Sequence, residues 1–256
     1  MTRTLLGILL ALVPASAGTD APPKPLSLTA VPARLVFHDS GQAVVRLRNP
    51  GSKRIAVDVA AAGFALDLRG RPHVVGRRSA RSAAPWLTLS PARLTLAPRA
   101  TALLHVSSRV PRDAEPGDHD ALVLVSARPL AIARVSVRLR LGVVVIVRAP
   151  GAVVRHLTLG RLRVMRRAGK QRLGVVVVNA GNVTERLVHV STAIWEVKPR
   201  RHLATVAAGA RELRPRTRGL LEFRLRTRTH GPVTASVVIP AERGRPRVRR
   251  TYRLRL

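Results

Sequence analysis

Residues able to do chemistry are few in this chain. It has 256 residues, with 13 acidic residues, 8 histidines and no cysteine. Without cysteine there is no thiol nucleophile, no disulfide framework and no thiolate zinc site. The acidic residues gather once, as Asp113, Glu115, Asp118 and Asp120 in one short segment that also holds His119. A calcium ion takes about six to eight oxygen ligands, so these four are the weak candidates for a metal site. Their spacing departs from the EF-hand loop, and Pro116-Gly117-Asp118 is a common turn sequence, so the turn is the preferred reading. The histidines, at 38, 73, 105, 119, 156, 189, 202 and 230, are scattered and form no HExxH pair. No nucleophile elbow, phosphate loop or dinucleotide-binding glycine pattern is present, and serine and histidine without a joining geometry make no triad. The expectation is a protein that is not an enzyme, with no catalytic residue and no cofactor.

The other chemistry on offer is positive charge. Forty-six basic residues give a net charge of +33, and Lys stands only at 24, 53, 170 and 198, so arginine supplies nearly all of it. A guanidinium fork suits phosphate and carboxylate, which points to an anionic partner. The codon usage of a GC-rich genome produces the same skew, and both readings stay open. Many arginines recur at every second position, as in Val137-Arg138-Leu139-Arg140 and Phe223-Arg224-Leu225-Arg226, which marks the solvent face of strands. The candidate ligand-binding residues are Arg69, Arg71, Arg77, Arg78 and Arg81, in a stretch from Gly63 to Ala84 where the pattern loosens and Arg69-Gly70-Arg71-Pro72 and Gly76 to Ser82 read as exposed loop, with Arg200 and Arg201 later in the chain. Nucleic acid is an unfitting partner, because single-strand readers need aromatic platforms and aromatics are 2% of this chain. Trp86 and Trp195 read as core or domain-packing residues. Asn182-Val183-Thr184 matches the glycosylation pattern and carries little weight in a bacterial-looking sequence.

The elements that must position these residues read as strands. Between Trp86 and Ser126, apolar runs at Trp86 to Leu89, Ala100 to Val106 and Ala121 to Val125 are separated by Ser90-Pro91, Ala97-Pro98 and Pro111 to Gly117. Strand and turn in that alternation predict a β-sandwich. Asn49-Pro50-Gly51-Ser52 predicts an antiparallel hairpin between strands Gln42 to Arg48 and Ile55 to Ala60. Leu141 to Val147 is free of charge and, at seven residues, reads as a buried strand rather than a membrane span. The same grammar restarts after Ala149-Pro150-Gly151, with strands expected at His156 to Val164, Leu173 to Val178 and Leu187 to Ile194. Turns are expected at Ala168-Gly169-Lys170 and Asn179 to Asn182, and a terminal strand at Val248 to Leu256 with Leu inward and Arg outward.

Residues 1–17 read as a signal peptide: Arg3, an apolar run from Leu5 to Val13, and Ala15-Ser16-Ala17 as the cleavage site. The run is too short for a bilayer core of roughly 30 Å, so no stable membrane span is expected after cleavage. Export to the cell envelope or beyond follows from that reading. Residues 18–25 read as a flexible leader, 26–149 as a first β-sandwich domain and 150–256 as a second. The expected fold class is all-β, two immunoglobulin-like sandwiches in tandem.

Two families are similar. Pro85-Trp86-Leu87-Thr88-Leu89-Ser90-Pro91, followed by Val110-Pro111-Arg112-Asp113-Ala114-Glu115-Pro116-Gly117-Asp118-His119, resembles bacterial extracellular immunoglobulin-like modules, in particular WxL-interacting proteins with a peptidoglycan-binding domain. That resemblance implies a secreted binding protein contacting cell-wall polymer or another surface protein. The pattern departs from the family at His119, which replaces the usual aromatic, and in the C-terminal membrane helix and basic tail that usually follow. Ala33 to Ile55 resembles the opening of periplasmic pilus-assembly chaperones, and the match fades after Val110. This second resemblance implies a chaperone that caps secreted subunits by donating an exposed strand.

Overall fold

The computed structural model describes residues 26–79, 81–130, 137–167, 170–225, 230–242 and 244–256. The expected signal peptide and leader lie outside the described residues, as do Ala168-Gly169 of the expected turn. Alternating apolar positions form strands along the chain: β1 (Thr29–Val31), β2 (Arg34–His38), β3 (Gly41–Arg48), β4 (Ile55–Leu66), β5 (Pro72–Val75), β6 (Leu87–Ser90), β7 (Arg93–Leu96), β8 (Thr101–Ser108), β9 (Gly117–Pro129) and β10 (Leu139–Ala149). One sheet runs β1-β3-β8-β6, and the other runs β2-β10-β9-β4-β5 with β7 added on β4. The period of two decides which side chain goes in: β2 buries Leu35 and Phe37 and exposes Arg34, Val36 and His38, while β3 buries Val45 and Leu47 and exposes Arg46 and Arg48. The inward residues meet Val57, Leu104, Val123 and Val145 in one core of small aliphatic side chains. Each such burial contributes about 1.5–3 kcal/mol, so a sandwich poor in aromatics still has a driving force.

The later strands are β11 (Leu157–Arg167), β12 (Lys170–Asn179), β13 (Glu185–Leu187), β14 (Ser191–Glu196), β15 (His202–Ala207), β16 (Arg211–Leu213), β17 (Arg218–Arg224), β18 (Pro232–Ile239) and β19 (Val248–Arg255). They order as β11-β12-β17, β13-β16 and β15-β14-β18-β19 around a second core that includes Leu173, Val177, Ile194, Phe223 and Val237. The chain is thus all-β, two immunoglobulin-like sandwiches in tandem. Among the described residues the helical element is a single 3-10 turn, Ala84–Trp86, and no helix is long and apolar enough to cross a membrane.

Several local expectations change. The hairpin expected at Asn49 is an arch: β3 pairs with β1 and β8 in one sheet, whereas β4 pairs with β5, β7 and β9 in the other. The reason is the Asn49 side chain, buried at 1% exposure, whose amide donates to the carbonyls of Lys53, Leu96 and Ala97 while its Oδ1 accepts from Gly51 N–H. Those bonds tie the turn to the loop after β7, across the end of the sandwich. Asn179 repeats the device, donating to Val183, Leu213 and Arg214 carbonyls and accepting from Gly181. Replacing Asn179 by Ala strands these buried carbonyls, and the expected loss is about 2–3 kcal/mol in a denaturant titration.

The single strand expected from Leu187 to Ile194 is broken into β13 and β14 at His189, whose φ of 54° ends the extended run. Strand β4, expected to end at Ala60, continues to Leu66 and turns through Asp67 to Arg71 into β5, which begins at Pro72, the last residue of the first loop read from the sequence. Asp67 makes that turn, since its Oδ1 accepts from the N–H groups of Arg69 and Arg71. At the end of the chain β19 follows expectation: Tyr252 and Leu254 face the core, and Arg249, Arg253 and Arg255 face out.

Candidate functional site

An open sheet edge and the arginine beside its end form the candidate site. Strand β10 is paired along its whole length with β9 on one side, but on the other side β2 covers it only from Val144 to Arg148. Among the described residues no strand pairs with the outer side of Leu139 to Val143. The direction of the free groups follows from the ladder. Val144 N–H donates to Ala33 C=O and Arg148 C=O accepts from Asp39 N–H, so even-numbered residues point toward the β2 side. Arg140 and Gly142 therefore present their N–H and C=O to open space, while odd-numbered residues bond to β9. The side chains alternate as well: Val137 is exposed, Leu139 and Leu141 are half-buried against the core, and Val143 is buried. An unpaired, partly apolar edge of this kind is a template for one further strand. It is unblunted by proline, and its charges, Arg138 and Arg140, both have the same sign.

The uncovered segment ends beside Arg34. In the parallel β2–β10 pairing Arg34 lies opposite Val144, where the free edge ends. Its guanidinium reaches across to the later half of the chain and bonds Glu212 Oε1 at 2.6 Å. On the outward face of the same sheet Val36 lies opposite Ile146 and Leu122 opposite Val144; Val36 is exposed, whereas Ile146 and Leu122 are buried.

The acidic segment proves to be the lock between the two sandwiches. Asp118, 2% exposed, accepts from Arg148 Nε at 2.6 Å and Nη2 at 3.1 Å, and from the Thr184 N–H at 2.7 Å. Burial pushes its carboxyl up, but the Arg148 and Thr184 bonds outweigh that and hold it below the ordinary carboxylate value. Asp120 pairs with Arg214, whose guanidinium also lies 3.4 Å over the ring of Phe64. For Asp120 burial prevails over the arginine and raises the carboxyl. Glu115 pairs with Arg81 at 2.6 Å, and Asp113 is exposed. Three of the four weak metal candidates, Glu115, Asp118 and Asp120, thus face guanidinium or amide donors instead of a common point, the fourth, Asp113, is exposed, and among the described residues no three His, Asp or Glu converge as ligands. His119 packs against Trp86 with ring centroids 4.3 Å apart and the planes tilted by 46°, and burial holds its imidazole below the ordinary value.

Gly117 allows the halves to meet. Its N-terminal neighbour Pro116 accepts from the Asn182 amide, Asp118 N–H donates to Asn182 C=O, and Gly117 itself sits at φ +107°. A Cβ at Gly117 falls 2.1 Å from the Asn182 oxygen. We expect Gly117→Ala to cost at least about 2 kcal/mol in chemical denaturation, through both the clash and the left-handed backbone. Gly76→Ala is the control, because a Cβ there meets nothing within 4 Å. The same packing uses both ends of the Asn182 amide, on Val154, Ala152 and Pro116, and Asn182 is 6% exposed. That leaves the Asn182-Val183-Thr184 pattern without an accessible acceptor.

The arginines named from the sequence do not form one patch. Arg69 and Arg71 lie at the β4–β5 turn, and Arg69 reaches Glu222 of the second sandwich at 3.5 Å. Arg77 donates to Ala84 C=O, Arg78 is exposed, and Arg81 is mostly buried against Glu115 and Pro116. Arg200 is exposed, and Arg201 pairs with Glu196 at 3.2 Å. Sequence reasoning missed Arg34 and the Arg140–Gly142 edge. The alternation Val137, Leu139, Leu141, Val143 was visible, but it does not disclose which side of a strand lacks a neighbour.

No family model matches the chain, and no curated protein matches it in sequence. Its fold is found among solved structures. One match, with a TM-score of 0.50 at 11% identity over 88% of this chain and 98% of that one, comes from a chaperone-tip adhesin complex of CFA/I fimbriae biogenesis. Others include the class 5 fimbriae chaperone CfaA, with a TM-score of 0.48 at 11% identity over 88% and 98% of the two chains. A Salmonella enterica SafA pilin–SafB chaperone complex matches with a TM-score of 0.47 at 15% identity over 91% and 98%. At 11% identity the first of these likenesses, with its TM-score of 0.50, speaks to the tandem-sandwich fold alone. The WxL-interacting resemblance finds no counterpart in these comparisons, and the structures that are similar bear the names of the second family.

Proposed function

We propose that this protein is an exported, non-enzymatic assembly chaperone that holds a secreted subunit by lending it the free edge of β10. The observation that carries this reading is the unpaired outer side of Leu139 to Val143, with the backbone groups of Arg140 and Gly142 open and apolar side chains at alternate positions. A client whose own sheet lacks a strand gains main-chain hydrogen bonds from that edge, and pockets for alternate side chains give the fit. Arg34, where the edge ends, supplies a cation for a carboxylate at the end of the added strand. The solved structures of similar fold, described as pilus chaperones and their subunit complexes, support the same reading. The signal peptide read at residues 1–17 accords with export, and 26–149 and 150–256 are the domain limits we adopt. Cell-wall polymer as the main partner draws no support from the comparisons.

The test is purification of the tagged full chain from its own host, followed by hydrogen exchange on the complex. The expected result is a stoichiometric secreted β-rich subunit, with slowed exchange at the Arg140 and Gly142 amides relative to the free protein. Recovery of the protein alone, or a complex in which those two amides exchange at the free rate, overturns the reading.

A further inference from the structure

A second surface stands apart from the β10 edge, on the outer face of sheet β15-β14-β18-β19. The registers place His202, Trp195, Thr234 and Arg253 in one row across it, and Ser191, Val238 and Arg249 in another, with Ser236 and Thr251 between. Trp195 therefore turns away from the core, contrary to the core or domain-packing role read from the sequence. Its ring is set by His202, edge-on at 5.8 Å, and His202 is itself bonded to Thr205 Oγ1 at 3.0 Å. Beside the indole lies a concavity of about 310 Å³ whose walls include Arg200, Thr234, Ser236, Arg249 and Thr251. Ser236 is 3% exposed, and its Oγ accepts Arg249 Nε at 3.0 Å, which fixes that guanidinium at the wall.

The electrostatics are one-sided. Glu196, the carboxylate on the rim, is held by Arg201, whereas Arg200, Arg249, Arg253 and Arg255 have no carboxylate partner among the described residues. A flat aromatic face packs the C–H face of a pyranose ring, the hydroxyls of Thr234 and Thr251 match sugar hydroxyls, with Ser236 beneath them holding Arg249, and guanidinium forks without a carboxylate partner take carboxylate or phosphate. Apolar anions would find only one ring here, and a neutral sugar would leave the arginines without a counter-charge.

We infer that this concavity binds an acidic saccharide, with Trp195 as the stacking platform and Arg200 and Arg249 as the anion contacts. The site is independent of strand donation, since it shares no residue with β10. Calorimetric titration of the full chain with a galacturonate hexamer tests it, with a maltose-type neutral hexamer as control. The expected result is saturable binding of the acidic hexamer alone, weakened at least about tenfold in the Arg200→Gln/Arg249→Gln double variant and in Trp195→Ala. The Arg161→Gln/Arg218→Gln double variant, which removes equal charge from exposed positions elsewhere, stays within about twofold of the parent. Melting curves establish that each variant is folded, and Arg140→Pro, made in the client site, leaves saccharide binding unchanged. Equal weakening by the two double variants would mean attraction by diffuse charge and overturn the site, as would failure to saturate or equal binding of the neutral hexamer.

Discussion

Arg140→Pro is expected to abolish client capture while leaving the protein folded. The N–H of Arg140 points to the uncovered side of β10, so proline there removes no hydrogen bond of the sandwich. Proline is tolerated on an edge strand when its missing N–H faces solvent. The expected stability change is within about 1 kcal/mol, and the ring removes one of the two open donors and obstructs an incoming strand. The adjacent substitution is the contrast. Leu141 lies opposite Val125, and its N–H serves the β9 ladder, so Leu141→Pro removes an internal bond and disturbs a side chain packed on the core. We expect Leu141→Pro to unfold at markedly lower denaturant than Arg140→Pro. Co-purification and denaturation of the two variants read out separately. Client capture by Arg140→Pro at the parental level would remove the β10 edge as the docking site.

Asp118→Ala has the largest expected effect on stability. It leaves Arg148 half-buried without its counter-ion and takes the acceptor from Thr184 N–H, so the cost is about 3–5 kcal/mol. For a chain of this size that is a fall in Tm on the order of 10 °C. The pH dependence has a definite sign. The folded Asp118 carboxyl lies below its unfolded value, so its contribution is complete above the ordinary carboxylate range and is lost as pH falls through the lowered folded value. The gap between parent and Asp118→Ala is therefore widest near neutral pH and closes in acid. Asp120 has the opposite sign, because burial raises its carboxyl: its contribution shrinks as pH rises from the unfolded value through the raised one. Denaturation of both single variants between about pH 2 and pH 7 separates the two. A gap for Asp118→Ala that is unchanged across that range would contradict the assignment of Asp118 as a charged lock.

What could be read directly from the chain is tied to local pattern. Val45 and Leu47 alternating with Arg46 and Arg48 specify a strand with one wet face, and the repeated Asn-x-Gly at 49 and 179 marks corresponding turns in the two halves. What escaped was non-local. Whether Asn49 closes a hairpin or an arch depends on carbonyls at Leu96 and Ala97, nearly fifty residues away. The four acidic residues from Asp113 to Asp120 have the composition of a cation site, and three of them are neutralised by Arg81, Arg148 and Arg214, which no spacing rule links to them. Strand β7, Arg-Leu-Thr-Leu between two prolines, was too short to stand out. The free edge was hidden for the same reason: a sequence gives a strand's faces, and only the assembled sheet gives its neighbours.

The alternate arginines at the open edge, Arg138 just before β10 and Arg140 within it, have a colloidal consequence. Two copies of this protein carry identical open edges, and edges of this kind pair with each other as readily as with a client. Arg138 and Arg140 flank the edge, and the whole chain carries +33, so the approach of a second copy is opposed over roughly 10 Å at 0.1 M salt. Like charge thus keeps the copies dispersed, and a client of lower or opposite charge passes the same barrier. Added salt shortens the range of that repulsion, and concentrated solutions of the free protein then lose their protection against self-association first.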